Sequence, residues 1–115
     1  MTATITTLKK RADFVRLNRA RKFITDYFIL RYGAAADAAV VEVGYTVTTK
    51  CGNAVARNRI KRRLRALVAE LAPEMARVGV AYNFIARADV KPGAGEVDHA
   101  QLRAAVAKAF TAAAK

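Results

Sequence analysis

Asn53-Ala54-Val55-Ala56-Arg57-Asn58-Arg59-Ile60-Lys61-Arg62-Arg63-Leu64-Arg65-Ala66-Leu67-Val68-Ala69-Glu70-Leu71 is the most strongly patterned stretch of the chain. Ile60, Leu64, Leu67, Val68 and Leu71 recur at three- and four-residue steps, so the spacing predicts a helix over 53–71 with one apolar stripe. At about 100° per residue, Asn58, Arg62 and Arg65 fall on the opposite side and Lys61 on its flank. Arg63 lies nearer the apolar side. Such a helix needs a surface to lie on. Gly52 before it can take positive φ and turn a strand sharply into the helix. Pro73 is expected to stop the helix or start a short new turn.

The flanking segments supply that surface. Residues 7–17 read as a first helix, with Thr7 as its cap and Leu8, Ala12, Phe14 and Val15 on its apolar side. Residues 23–32 read as a strand ending at Gly33, with Tyr27, Ile29 and Arg31 on one face and Phe28, Leu30 and Tyr32 on the other. Residues 34–39 form a turn. Residues 40–49, rich in Val, Thr and Tyr, read as a second strand with a break at Gly44. Residues 78–86 give a third strand and 88–97 a loop. Asp98 with Gln101 resembles a capping box that starts a final helix, with Leu102, Val106 and Phe110 inward. The order is α-β-β(-β)-α-β-α. The expected fold is a single-domain α+β sandwich over residues 1–115, a small mixed sheet with packed helices.

Composition narrows the function. The chain has 115 residues, 54% of them hydrophobic, which argues against general disorder. Its apolar runs fall far short of the roughly 20 residues a membrane helix needs, so no membrane partner is expected. Residues 1–10 lack the apolar core of a secretory signal. One cysteine excludes an intrachain disulfide or a Cys-based zinc cluster. A cytoplasmic location is expected.

Twenty-one Lys and Arg against nine Asp and Glu leave a net charge of +12, a surplus that points to a polyanion. It is concentrated. Seven cations lie between Lys9 and Lys22, opposed only by Asp13, and seven more between Lys50 and Arg65 with no acid among them. An ordinary solvated helix would carry acids at i,i+4. Arginine's planar fork grips phosphate oxygens two at a time. Asn58 adds a group that both donates and accepts, suited to a base edge or a 2′-hydroxyl.

The run from Thr48 to Arg65 resembles the signature of the bacterial ribonuclease P protein family. That signature reads roughly Ser-Lys-Lys-Val-Gly-Asn-Ala-Val, one variable residue, Arg-Asn-Arg, two more residues, then Arg-Arg-Leu-Arg. Asn53-Ala54-Val55, Arg57-Asn58-Arg59 and Lys61-Arg62-Arg63-Leu64-Arg65 match it, and Lys50 keeps its second lysine. Thr49 replaces the first lysine and Cys51 the valine. Leu8-Lys9-Lys10-Arg11-Ala12-Asp13-Phe14 is similar to the family's opening helix.

The resemblance implies a ribosomal protein S5 domain 2-like fold with a left-handed βαβ crossover. It implies a protein subunit that assists a catalytic RNA subunit in the endonucleolytic removal of the 5′ leader from precursor tRNA. The activity is then that of the ribonuclease P holoenzyme. Mg²⁺ is required by the RNA, no cofactor is held by the protein, no catalytic residue lies in it, and no protein partner is required. By matching position, Lys50, Asn53, Arg57, Asn58, Arg59, Lys61, Arg62 and Arg65 would contact the RNA subunit. Lys10, Phe14 and Arg31 would contact the single-stranded leader. Packing between helix and sheet is the alternative for Phe14. Asn18 and Arg31 stand where some members carry aromatic residues.

Two competing readings remain. A small basic rRNA-binding protein would share the charge. An autonomous nuclease would need acids or histidines in a usable arrangement. His99, beside Asp98 at a helix start, reads as a surface residue, and Glu70 with Glu74 does not read as a catalytic pair.

Overall fold

The computed structural model describes residues 4–8, 10–87 and 97–114. Its elements are β1 (Thr4–Thr7), α1 (Arg11–Leu17), β2 (Arg21–Ile24), β3 (Phe28–Ala34), β4 (Val40–Thr46), a short 3-10 turn (Thr49–Cys51), α2 (Ala54–Met75), β5 (Val80–Ala86) and α3 (His99–Ala113). They form one five-stranded mixed sheet in the order β1-β4-β5-β3-β2, with three helices. The expected α+β class holds. Four details of the expected order do not.

The first element among the described residues is a strand. Thr4, Ile5, Thr6 and Thr7 are all β-branched and pair in parallel with Val40 to Val43. Thr7 therefore caps nothing, and α1 begins at Arg11 after Lys10, with no side-chain cap. Leu8 precedes the helix, buried, its amide donating to the Val43 carbonyl at 2.8 Å.

The expected strand over 23–32 is a hairpin. The chain reverses at Asp26 and Tyr27, where the Thr25 hydroxyl oxygen accepts from the amides of Tyr27 (3.2 Å) and Phe28 (3.0 Å). The turn rests on a threonine side chain, with no glycine or proline to announce it. The reversal pairs Phe23 with Leu30, so Phe23 joins the core side with Phe28, Leu30 and Tyr32. β3 then continues through Gly33 to Ala34.

Gly44 does not break β4, which ends at Thr46. A Cβ on Gly44 would lie 2.7 Å from Phe14 Cε1 and 3.0 Å from Leu8 Cβ, so the glycine makes room for α1. Nor does Pro73 stop α2, which runs to Met75. The proline removes the one hydrogen bond that its amide would donate to the Ala69 carbonyl, two residues before the helix ends.

The sheet separates two unequal apolar clusters. Ile60, Leu64, Leu67, Val68 and Leu71 of α2 and Leu102, Val106 and Phe110 of α3 pack on Leu30, Val41, Val43, Tyr82 and Phe84. The α2 stripe is therefore buried as its spacing predicts. Phe84 meets Phe28 and Phe110 edge-on at 5.2 and 5.8 Å between ring centroids. On the other face α1 rests on a small cluster of Leu8, Leu17 and Ala81, with Phe14 beside it. Asp98 precedes α3 as expected but forms no capping bond, and Gln101 instead accepts from the Tyr27 hydroxyl at 3.4 Å. Lys9 of the first basic cluster, and the expected loop over 88–97 except Val97, lie outside the described residues.

Candidate nucleic-acid interface

The start of α2 is built by three adjacent residues. Gly52 takes φ 125°, a conformation side chains rarely adopt, and turns the chain out of the 3-10 turn. Asn53 caps the helix, its Oδ1 accepting from the Ala56 amide at 2.9 Å. Lys50 stands exposed on the turn before it.

The apolar stripe holds α2 on the sheet and so fixes where its cations point. Asn58, Lys61, Arg62 and Arg65 line one shallow groove together with Val55, which is 75% exposed. Arg59 is exposed nearby. Arg57 lies on the flank, half-buried, and its Nε is buried with no hydrogen-bond partner. Arg63 occupies the other flank and donates from Nη2 to the Val97 carbonyl at 2.6 Å, a structural tie to the entrance of α3. The structure thus brings Asn58, Lys61, Arg62 and Arg65 together, and sets Arg57 and Lys50 at the margin.

Two residues of this region escaped the sequence reading. Val55 is an exposed apolar patch amid charge. Tyr45 lies under Arg65, whose guanidinium carbon is 5.7 Å from the ring centroid. Burial pushes the Tyr45 phenol up to about 12, against the opposing pull of Arg65. The signal for Tyr45 was weak, because an aromatic in a strand reads as core.

A second surface lies on the α1 side of the sheet. The register places Gly44, Asn83, Arg31 and Lys22 in one row across β4, β5, β3 and β2. Phe14 lies over Gly44 at one end, half-buried, its ring edge against the strand. It serves as packing and still presents surface. Arg31 is half-buried, with Nη1 donating to the Ala20 carbonyl at 3.2 Å. Lys10 is exposed at the head of α1. Asn83, buried, and Lys22, exposed, join this row without having been singled out. A polar residue inside an otherwise apolar strand was the available signal for Asn83.

Elsewhere, Glu70 accepts from Arg103 Nε at 2.7 Å, a surface pair and not half of a carboxylate dyad. His99 is exposed. Among the described residues no helix is long and apolar enough to cross a membrane.

A family model for ribonuclease P matches residues 3–114. The ribonuclease P protein component of Ruegeria pomeroyi is 42% identical over 85 residues, spanning 72% of this chain and 68% of its own length. That of Paramagnetospirillum magneticum is 42% identical over 92 residues, spanning 76% of this chain and 69% of its own. Among solved structures, the RNase P protein of Staphylococcus aureus superposes with a TM-score of 0.77 at 24% identity, covering 93% of this chain and 94% of that one. The RNase P protein of Thermotoga maritima gives 0.76 at 21%, covering 89% and 92%. At those identities the two structures establish the fold.

Proposed function

This chain belongs to the ribonuclease P protein family, and on that basis we propose that it serves as the protein partner of a catalytic RNA that removes the 5′ leader from precursor tRNA. The observation that carries this reading is the face of α2. Asn58, Lys61, Arg62 and Arg65 converge on one groove, and no acid lies between Lys50 and Arg65. Guanidinium groups on a helix anchored by its opposite side are preorganised, so phosphate binding orders little that was loose. We assign this face, with Lys50, Asn53, Arg57 and Arg59 around it, to the RNA subunit.

The α1 side of the sheet suits the leader. Phe14 offers an aromatic surface for a base, and Arg31 and Lys10 offer charge to the backbone. Aromatic stacking of this kind is tolerant of sequence. In this division of labour residues 1–115 act as one RNA-binding domain in the cytoplasm. The RNA subunit carries the chemistry with its own Mg²⁺. The match over 3–114 does not favour the rRNA-binding alternative.

The test is cleavage of a precursor tRNA by the cognate RNA subunit alone, by the protein alone and by the two together at limiting Mg²⁺. The expected result is stimulation of the RNA and no cleavage by the protein alone. Absence of stimulation overturns the proposal, and cleavage by the protein alone moves the chemistry into the chain.

A further inference from the structure

Among the described residues, Arg65 is the one cation lining the α2 groove whose head group meets a partner. Its guanidinium carbon stands 5.7 Å from the centroid of the Tyr45 ring. The ring is itself fixed. Tyr45 pairs with Phe84 in the register of β4 and β5, and the two rings stack at 6.0 Å between centroids with 20° between their planes. Phe84 is fully buried and meets Phe28 and Phe110 edge-on. A continuous line of contact therefore runs from the main core through Tyr45 to an exposed arginine. Arg65 also lines a second groove, along β1, together with Tyr45, Val43 and Ile5. Its head group stands where the cationic face meets the edge of the sheet.

The chemistry of the partner matters. A carboxylate would hold an arginine too, but it would occupy the N–H groups and cancel the charge. An aromatic face takes the flat side of the guanidinium and leaves the charge and the in-plane donors to an incoming phosphate. Burial keeps the Tyr45 phenol protonated, raised to about 12, so no phenolate offsets Arg65 at neutral pH. The hydroxyl has no hydrogen-bond partner among the described residues, so the ring does the holding. A free arginine on an exposed helix face samples many rotamers, and ordering it on binding costs affinity. A ring that orders it beforehand removes part of that cost.

We infer that Tyr45 is a positioning residue for RNA binding: its ring, fixed against Phe84, holds the Arg65 guanidinium ready to grip a phosphate of the RNA subunit. The inference rests on the assignment of the α2 face to that subunit.

The experiment measures the affinity of the full chain for its cognate RNA subunit at fixed salt. The wild type is compared with Tyr45→Leu, Arg65→Ala and the double variant. Tyr45→Leu keeps apolar bulk beside Phe84 but removes the ring, and is expected to weaken binding by about two- to tenfold. In the Arg65→Ala background the same change is expected to have no effect, because no guanidinium is left to hold. Tyr45→Phe keeps the ring and is expected to recover wild-type affinity. In the free protein, nuclear magnetic resonance should show the Arg65 side-chain protons shifted upfield by the ring, with Tyr or Phe at position 45 and not with Leu. The wild-type shift needs no variant, so unshifted protons overturn the inference even should Tyr45→Leu fail to fold. An equal loss in both backgrounds also overturns it, since the ring then serves the fold alone. So does full affinity in Tyr45→Leu, and the face assignment stands if Arg65→Ala still weakens binding. If Arg65→Ala binds as well as the wild type, the assignment of Arg65 to the RNA subunit fails and the inference falls with it.

Discussion

Phe14 occupies the space that a side chain on Gly44 would need, with its Cε1 2.7 Å and its Cζ 2.9 Å from the position of a Cβ there. One glycine in β4 thus sets how closely α1 approaches the sheet, and with it the shape of the surface assigned to the leader. Gly44→Ala is expected to push Phe14 and α1 outward at a cost of about 1–3 kcal/mol, the usual range for overpacking. Leader affinity should fall while assembly with the RNA subunit is retained. Urea denaturation and the two binding assays, run side by side, check this.

Arg62 and Arg65 point away from the buried stripe, so their loss should leave the fold intact. Wild-type affinity for the RNA subunit is expected to fall by roughly 10³-fold from about 50 to 200 mM salt if about six phosphates are contacted. Each Arg→Ala change should reduce the slope of log affinity against log salt by about one. Unchanged circular dichroism with a shallower slope is the expected pair of results. An unfolded variant would mean that these residues hold the structure instead.

Arg63 belongs to the other category. Its bond to the Val97 carbonyl joins α2 to the residues before α3. Arg63→Ala is expected to cost about 1.5–3 kcal/mol, as for a hydrogen bond to a charged group, with the salt slope unaltered. Denaturation midpoints set against the slopes for Arg62→Ala separate a tie from a grip.

Tyr45 makes stability depend on alkaline pH. Its phenol ionises near 10 when unperturbed and at about 12 in the folded protein, because burial disfavours the anion. As pH rises past 10 the unfolded chain releases this proton first, so stability is complete below pH 10 and declines between 10 and 12. The buried Tyr82 phenol, also raised, adds a loss of the same sign. Tyr45→Phe should remove its part of the decline and its late-titrating tyrosinate absorbance. An unchanged pH profile would refute the assignment.

Much of this molecule was legible from residue order, and what was missed has identifiable causes. The α2 stripe was clear because five large apolar residues share one side, and the same arithmetic located Arg62 and Arg65 outside and Arg63 on the flank. The β2–β3 turn was hidden because no glycine or proline marks it and the side chain of Thr25 takes that part. β1 was hidden by its length, four residues whose partner strand lies far along the chain. Gly44 was misread because a strand glycine signals either a break or a close neighbour, and only the third dimension shows Phe14.

The lopsided distribution of apolar contacts gives the two working surfaces different mechanical characters. α2 is bolted to the sheet by its whole underside and cannot yield without dismantling the main core. α1 is seven residues long, too short to persist on its own, and is fastened through a handful of contacts. With the fewer apolar contacts, it is the element expected to open at the lower free-energy cost. On the proposed assignment, the face given to the RNA subunit is the firmly held one and the face given to the leader the more loosely held.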